Sequence, residues 1–280
     1  ANANQTIVAA TANLRTNVYG NNQNAASAGA GPGAQAAVSG TTPVINGVTS
    51  GAVSISGYLG TGTLTVATSD SAKTTADQIN AVKASTGVTA TARNEVRLGG
   101  MASIGSYTLN LKGDNTTAVS VSFTLTATTG TDRLSAAVSA INDQSAKTGV
   151  NASLSSDGTQ VVLTNASGNN IEVADTATAN AAAATVTSYN AAGGSTGTAR
   201  TLAADTTAET VSAAGYITLD SEKSFAVTSA SNQLTTGGSA LQTVANLDVT
   251  TFTNSTNALK TVDSALAFIN GERAKLGALQ

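Results

Sequence analysis

The strongest constraint on this chain is that part of it occurs twice. Asp70, Ile79-Asn80, Gly87-Val88 and Ala90 return as Asp132, Ile141-Asn142, Gly149-Val150 and Ala152, each displaced by the same amount. One supersecondary unit is therefore used twice, and whatever the first copy builds the second must also build. In the first copy Ala72, Ala76, Ile79 and Val82 fall at i, i+4, i+7 and i+10; in the second Leu134, Val138 and Ile141 share one face. That spacing predicts a short amphipathic helix in each copy. Asp70 and Asp132 stand just ahead of these faces, where a carboxylate can accept from the free N–H groups of the first turn and oppose the helix dipole. They are expected as N-caps, not as catalytic acids. Gly87 and Gly149 are expected to end the helices, because the chain leaves a helix most easily through positive φ.

Strands surround the helices. Val150 to Leu154 alternates with period two, Asp157-Gly158 signals a hairpin turn, and Val161-Val162-Leu163 follows. Leu64 to Ala67 and Tyr107 to Leu111 precede the helices, the latter followed by the turn Lys112-Gly113-Asp114-Asn115 and an alternating run from Val119 to Leu125. The fold class is thus α+β and mostly β, made of tandem small domains each with a sheet and one helix. Asn21 to Gly40, rich in Asn, Ala and Gly around Pro32, is read as a loop or linker. Thr176 to Arg200 is read as irregular with a strand near Thr185-Val186-Thr187, and Tyr216 to Val227 as a hairpin turning at Asp220 to Lys223.

Composition removes most chemistries. The 280 residues contain no cysteine and no histidine, which excludes disulfides, thiol nucleophiles, histidine bases and nearly all zinc, copper and haem sites. Thirteen basic and sixteen acidic residues, a net charge of −3 and a pI near 4.8 offer no basic stripe for nucleic acid. No run approaches the roughly 18 apolar residues that span a bilayer, and Ala1 to Thr11 has no basic-then-apolar signal pattern. No nucleic-acid partner and no membrane insertion are expected.

Carboxylates and lysines remain as candidates. Asp220 with Glu222 could be drawn as a glycosidase pair, which needs carboxyls about 5–5.5 Å apart, but solvated or capping acids account for them; no catalytic residue and no cofactor is expected. Calcium alone suits an oxygen-only ligand set, yet Lys112 to Asn115 and Ser155 to Gly158 lack the paired acids of a tight loop. They are read as hairpin turns, and no metal site is expected. Asn115, Asn151, Asn165 and Asn254 head Asn-x-Ser/Thr triplets that a Thr-rich chain produces by chance. A surface binding module would use aromatic platforms, and Tyr19, Tyr58, Tyr107, Tyr189 and Tyr216 would have to gather on one exposed face to provide one.

The end of the chain differs in kind. Leu259, Val262, Leu266, Ile269, Arg273 and Leu276 run at alternating spacings of three and four, the seam of a coiled coil. Arg273 at a seam position either pairs with an acid or touches a neighbouring subunit. The seam reaches Gln280 without a terminator, so partner helix and continuation are expected outside these residues and the chain is expected to be a fragment.

Asn257 to Gln280 resembles the start of the C-terminal helix of bacterial flagellin, through the opening Ala258 to Asp263, then Arg273, Leu276-Gly277-Ala278 and Gln280. The Ile-Asn…Gly-Val-x-Ala pattern of both repeats is similar to the inserted domains of that family, and Ala1 to Ile7 to the short strand after its N-terminal helices. The resemblance implies a structural, non-enzymatic subunit of the flagellar filament serving motility, secreted and extracellular, with outer domains inserted in a helical basal domain of which only part is present. It implies residues 1–40 as basal strand and linker, 41–102 and 103–176 as the outer repeats, 177–250 as a β-rich return and 251–280 as the basal helix. Other flagellin subunits are the implied partners, with an export chaperone, the host innate immune receptor and surface glycans as further candidates. Lacking the polymerisation helices, this chain is expected to stay monomeric. The alternative is a lectin-like flagellin homologue that binds cell-surface polysaccharide.

Overall fold

A computed structural model describes residues 13–25, 35–37, 45–250 and 252–279. The first strand-like resemblance, Ala1 to Ile7, and Gln280 lie outside these residues. In chain order the first half contains β1 (Gly20–Ala25), β2 (Gln35–Ala37), β3 (Gly51–Ser56), β4 (Thr61–Val66), α1 (Ala72–Ala81), α2 (Lys83–Thr86), β5 (Thr89–Gly100), β6 (Gly105–Lys112) and β7 (Val119–Leu125). Next come α3 (Ser135–Asn142), α4 (Ser145–Thr148), β8 (Val150–Leu154), β9 (Val161–Asn165), β10 (Ile171–Ala174), β11 (Ala184–Tyr189) and β12 (Ser195–Leu202). The return adds β13 (Thr210–Ala213), β14 (Tyr216–Ser221), β15 (Ala226–Ser229), β16 (Gly237–Gly238), β17 (Ala240–Thr243) and the long α5 (Phe252–Leu279). The class is α+β, mostly β, as the sequence predicts.

Each repeat is a hairpin followed by a broken helix and a strand. β3 pairs with β4, and β6 with β7, both antiparallel. The helical stripe Ala72, Thr75, Ala76 and Ile79 is buried in the first copy, and Leu134, Ala137 and Ile141 in the second. The chain leaves the helical segments at Gly87 (φ +73°) and Gly149 (φ +67°), as their sequence positions require. What the repeated Ile-Asn…Gly-Val-x-Ala pattern encodes is then visible. Asn80 Nδ2 donates to Ala90 O and Asn80 Oδ1 accepts from Ala90 N, both at 2.9 Å. Asn142 does the same to Ala152, at 2.9 and 2.7 Å. A carboxamide carries the donor and acceptor of a peptide group, so each helix uses one asparagine as a surrogate strand partner.

The caps differ from the expectation. α1 is capped by Ser71, whose hydroxyl accepts from Thr74 N at 3.1 Å. The Asp70 carboxylate turns back to accept from Ala67 N at 2.7 Å, closing a turn in which Ser69 takes φ +66°. α3 has no side-chain cap: the exposed Asp132 offers its backbone carbonyl to Ser135 N at 3.0 Å. Leu134, fully buried, occupies the cap position instead; sinking that side chain sets where the helix starts.

Two cores result, and β5 links them. Its first part pairs with β14 and its second with β9 and β11. Val96, Leu98 and Met101 therefore belong to the core of the second repeat, while Val88 and Ala90 belong to the first. The return segment divides likewise, with Ala213 in one core and Ala214 in the other, so the cores do not part at the expected 102/103 boundary. Two loop readings are also corrected. Asn21 to Ala25 is strand β1, held between β14 and β17. β14 and β15 do not form a hairpin: β14 joins β1 and β5, whereas β15 joins β3 and β16. Asp220 to Lys223 is thus a crossover between sheets.

Candidate assembly face

Helix α5 lies on β1 through its smallest residues. Ala258, Thr261 and Ala265 are 8%, 2% and 6% exposed, and Phe268 stacks on Tyr19 with ring centroids 5.3 Å apart. Small side chains let helix and sheet approach closely, so little apolar area secures the contact and polar bonds fix its position. Asp220 is the centre of these. Its carboxylate accepts from Asn21 Nδ2 at 2.6 Å, Gln23 Nε2 at 3.0 Å and Lys260 Nζ at 2.5 Å. Lys260 Nζ also reaches Thr91 Oγ1 at 2.5 Å, tying α5 to β14, β1 and β5 together. With Asp220 7% exposed, this ion pair is screened far less than a surface pair.

The predicted seam points elsewhere. Leu259, Val262, Leu266 and Leu276 are 68%, 39%, 53% and 45% exposed, Ile269 is half-buried and Arg273 exposed. Within this chain the seam is not covered, because the narrower Ala258/Thr261/Ala265 face takes the sheet. Leu14, Val18, Leu241, Leu247 and Val249 are also exposed in the segments around α5. Burying one Leu or Val fully is worth about 1.5–3 kcal/mol. Helix α5 thus places its small residues Ala258, Thr261 and Ala265 against its own fold and leaves Leu259, Leu266 and Leu276 facing water.

The other sequence candidates do structural work. Asp114 accepts from Asn165 Nδ2 at 2.7 Å and Asn169 Nδ2 at 2.9 Å, holding the β6–β7 turn to the end of β9; Asn165 is fully buried. Asp157 accepts from the Ser155 hydroxyl at 2.6 Å and from Thr159 N and Oγ1. These bonds, Ser155's first, bring its carboxyl down to about 2. Asp220 is committed to Lys260, while Glu222 is exposed in the crossover. The tyrosines do not gather. Tyr107 and Tyr216 are buried, Tyr19 stacks on Phe268, Tyr189 lies under the Arg97 guanidinium at 3.9 Å, and Tyr58 is 51% exposed at the β3–β4 turn. No helix among the described residues is long and apolar enough to cross a membrane. Sequence reasoning missed the Asp220–Lys260 pin, which joins residues 40 apart in the chain; the spacing of Ala258, Thr261, Ala265 and Phe268 was its one visible trace.

Comparison with known proteins bears directly on the repeats. The flagellin hook IN motif matches residues 52–103 and 108–167, so each match takes in one hairpin, its broken helix and the strand that follows. Comparison with curated proteins finds no match. Among solved structures, the D2–D3 domains of the flagellar cap protein FliD from Escherichia coli align at 13% identity, covering 74% of this chain and 98% of that one, with a TM-score of 0.22. FliD (HAP2) from Pseudomonas aeruginosa PAO1 aligns at 16% identity over 85% and 95%, with a TM-score of 0.23. The motif match bears out the resemblance to bacterial flagellin read from the repeats: each repeat is similar to the flagellin hook IN motif.

Proposed function

We propose, for a chain that carries two flagellin hook IN motifs, that it is part of the structural subunit of the flagellar filament and has no enzymatic role. The repeats are its outer domains, and α5 is its assembly element. The observation that carries this reading is the division of α5 into a small-residue face on its own sheet and an aliphatic face in water. On this reading the seam Leu259, Val262, Leu266, Ile269 and Leu276 packs against helices of the filament-building domain, and Arg273 meets an acid or a neighbouring subunit there. Subunits of one filament are then its principal partners, and the extracellular flagellum is where it works.

The test uses the complete subunit carrying Leu259→Ser and Leu266→Ser. Both side chains are more than half exposed, so the variant should melt close to the parent as a monomer. Each substitution forfeits about 1 kcal/mol or more of interface burial, and together they should raise the critical concentration for salt-induced polymerisation about tenfold or more. Sedimentation that shows filaments forming at the parent's concentration would remove the seam from assembly.

A further inference from the structure

The chain passes between the two cores twice, within β5 and from Ala213 to Ala214. The crossings are neighbours, since β5 pairs with β14 and Arg93 stands opposite Tyr216. Two adjacent strands at a junction define a hinge line, and motion about it is the default for joined domains unless a further contact opposes it. The loop from Asn165 to Asn170, between β9 and β10, makes that contact. On one side it is tied to the second repeat. Asn165, fully buried, accepts from Asn169 N at 3.1 Å, and both Asn165 Nδ2 and Asn169 Nδ2 donate to Asp114 Oδ1, at 2.7 and 2.9 Å. On the other side it is bonded to the first repeat. Gly168 O accepts from Lys73 N at 3.0 Å in the first turn of α1, and Asn170 Oδ1 accepts from Asn46 Nδ2 at 2.9 Å. Asn170 Nδ2 adds a longer bond to Ser69 O, at 3.5 Å.

The anchor in the first repeat is itself fixed. Asn46 is fully buried, donates also to Ser69 O and Asp70 O, and accepts from Val48 N, so it is part of the turn that leads into α1. At the crossings, Asn94 Nδ2 donates to Asn169 O at 2.9 Å and to Ala213 O at 2.8 Å, joining the loop to both passing strands. Gly168 has φ +81°, and a Cβ there would stand 2.4 Å from the Ala92 Cβ; only glycine lets the loop lie this close to β5. Displacing such a loop strips partners from buried amides, which is costlier than the bonds alone. We propose that the Asn165–Asn170 loop is a strut that fixes the angle between the two repeats and makes them one rigid body, so that a load on one is carried into the other instead of bending the β5 junction. The strut is independent of the α5 seam, and the filament reading does not stand or fall with it.

The chain has no cysteine, so Thr63→Cys in β4 and Thr124→Cys in β7, both at exposed positions, each take one spin label. Double electron–electron resonance then reads the distance between the repeats. The parent should give a single distribution no broader than that of two labels within one repeat. Gly168→Ala combined with Asn170→Ala drives the loop off Ala92 and removes its side-chain bonds to Asn46 and Ser69; it should broaden the distribution about twofold, as a freed hinge does. Amide exchange in β3, β4, β6 and β7 should stay at the parent's level, showing that both cores persist. Asn170→Ala alone, in neither core, should broaden the distribution by less. A parent distribution already broad, or one left unchanged in both variants, would overturn the strut.

Discussion

Replacing Asn142 with alanine isolates the interaction that the repeated motif encodes. The substitution deletes two hydrogen bonds, Nδ2 to Ala152 O at 2.9 Å and Ala152 N to Oδ1 at 2.7 Å. Each is worth about 0.5–1.5 kcal/mol net, and a backbone group left buried and unpaired adds about 1–3 kcal/mol. Ala152 is 9% exposed and the adjacent Val150 fully buried, so water replaces the lost partner only in part. The expected loss is about 2–4 kcal/mol. Urea unfolding with amide exchange as the readout should show it as faster exchange in β8 and β9, with the first-repeat core unchanged. Asn142→Asp keeps the acceptor for Ala152 N but sets a charge against Ala152 O; its loss should shrink as pH falls and the acid gains a proton to donate. Asn80→Ala should cost a similar amount in the other core, because Asn80 makes the same pair of bonds to Ala90. The two losses should add within about 0.5 kcal/mol, as for sites that share no partners. A loss below about 0.5 kcal/mol for Asn142→Ala, or one spread evenly over both cores, would refute the strand-surrogate role.

The remaining expectations concern charge. Lys260→Met strands the Asp220 carboxylate, 7% exposed, and should loosen α5 by about 1–3 kcal/mol, less than for a fully buried pair because Lys260 is a quarter exposed; amide exchange in α5 should rise while both β cores stay protected. Asp175 is 2% exposed with Oδ2 unpartnered, and burial raises its carboxyl above the ordinary 3.8. Its ionisation therefore opposes folding: stability should fall as pH rises from about 4 through the raised value and then level off. Asp175→Asn should flatten that slope, a change read from urea midpoints across pH 4–7. Asp157 has the opposite sign, since its hydrogen bonds hold it at about 2. Its contribution is present above about 4 and lost as pH falls towards 2, so Asp157→Ala should blunt acid unfolding in that window.

Local pattern determined much of this protein. The periodicity from Ala72 to Val82 and from Leu134 to Ile141 specified two helices, Gly87 and Gly149 specified their exits, and Asp157-Gly158 specified a hairpin, because each depends on residues within a few positions of one another. The caps at Asp70 and Asp132 were misplaced for a reason at the edge of that range. Ser71 had a hydroxyl one residue nearer the helix, and Leu134 was drawn into a core that no local window reveals. The Asn-rich β1 reads as a linker by composition, since its residues have low strand propensity; two flanking strands from the far end of the chain make it one.

The candidate site divides in the same way. Spacing identified Leu259, Val262, Leu266, Ile269 and Leu276 as one helical stripe, a property of the helix alone. Which stripe the fold would bury was settled by the tertiary structure, because Asp220, Asn21 and Gln23 assemble opposite Lys260 only once β1, β5 and β14 are side by side. A close approach of helix to sheet requires small residues, and Ala258, Thr261 and Ala265 meet that requirement. The leucines, too large for that contact, are left facing water.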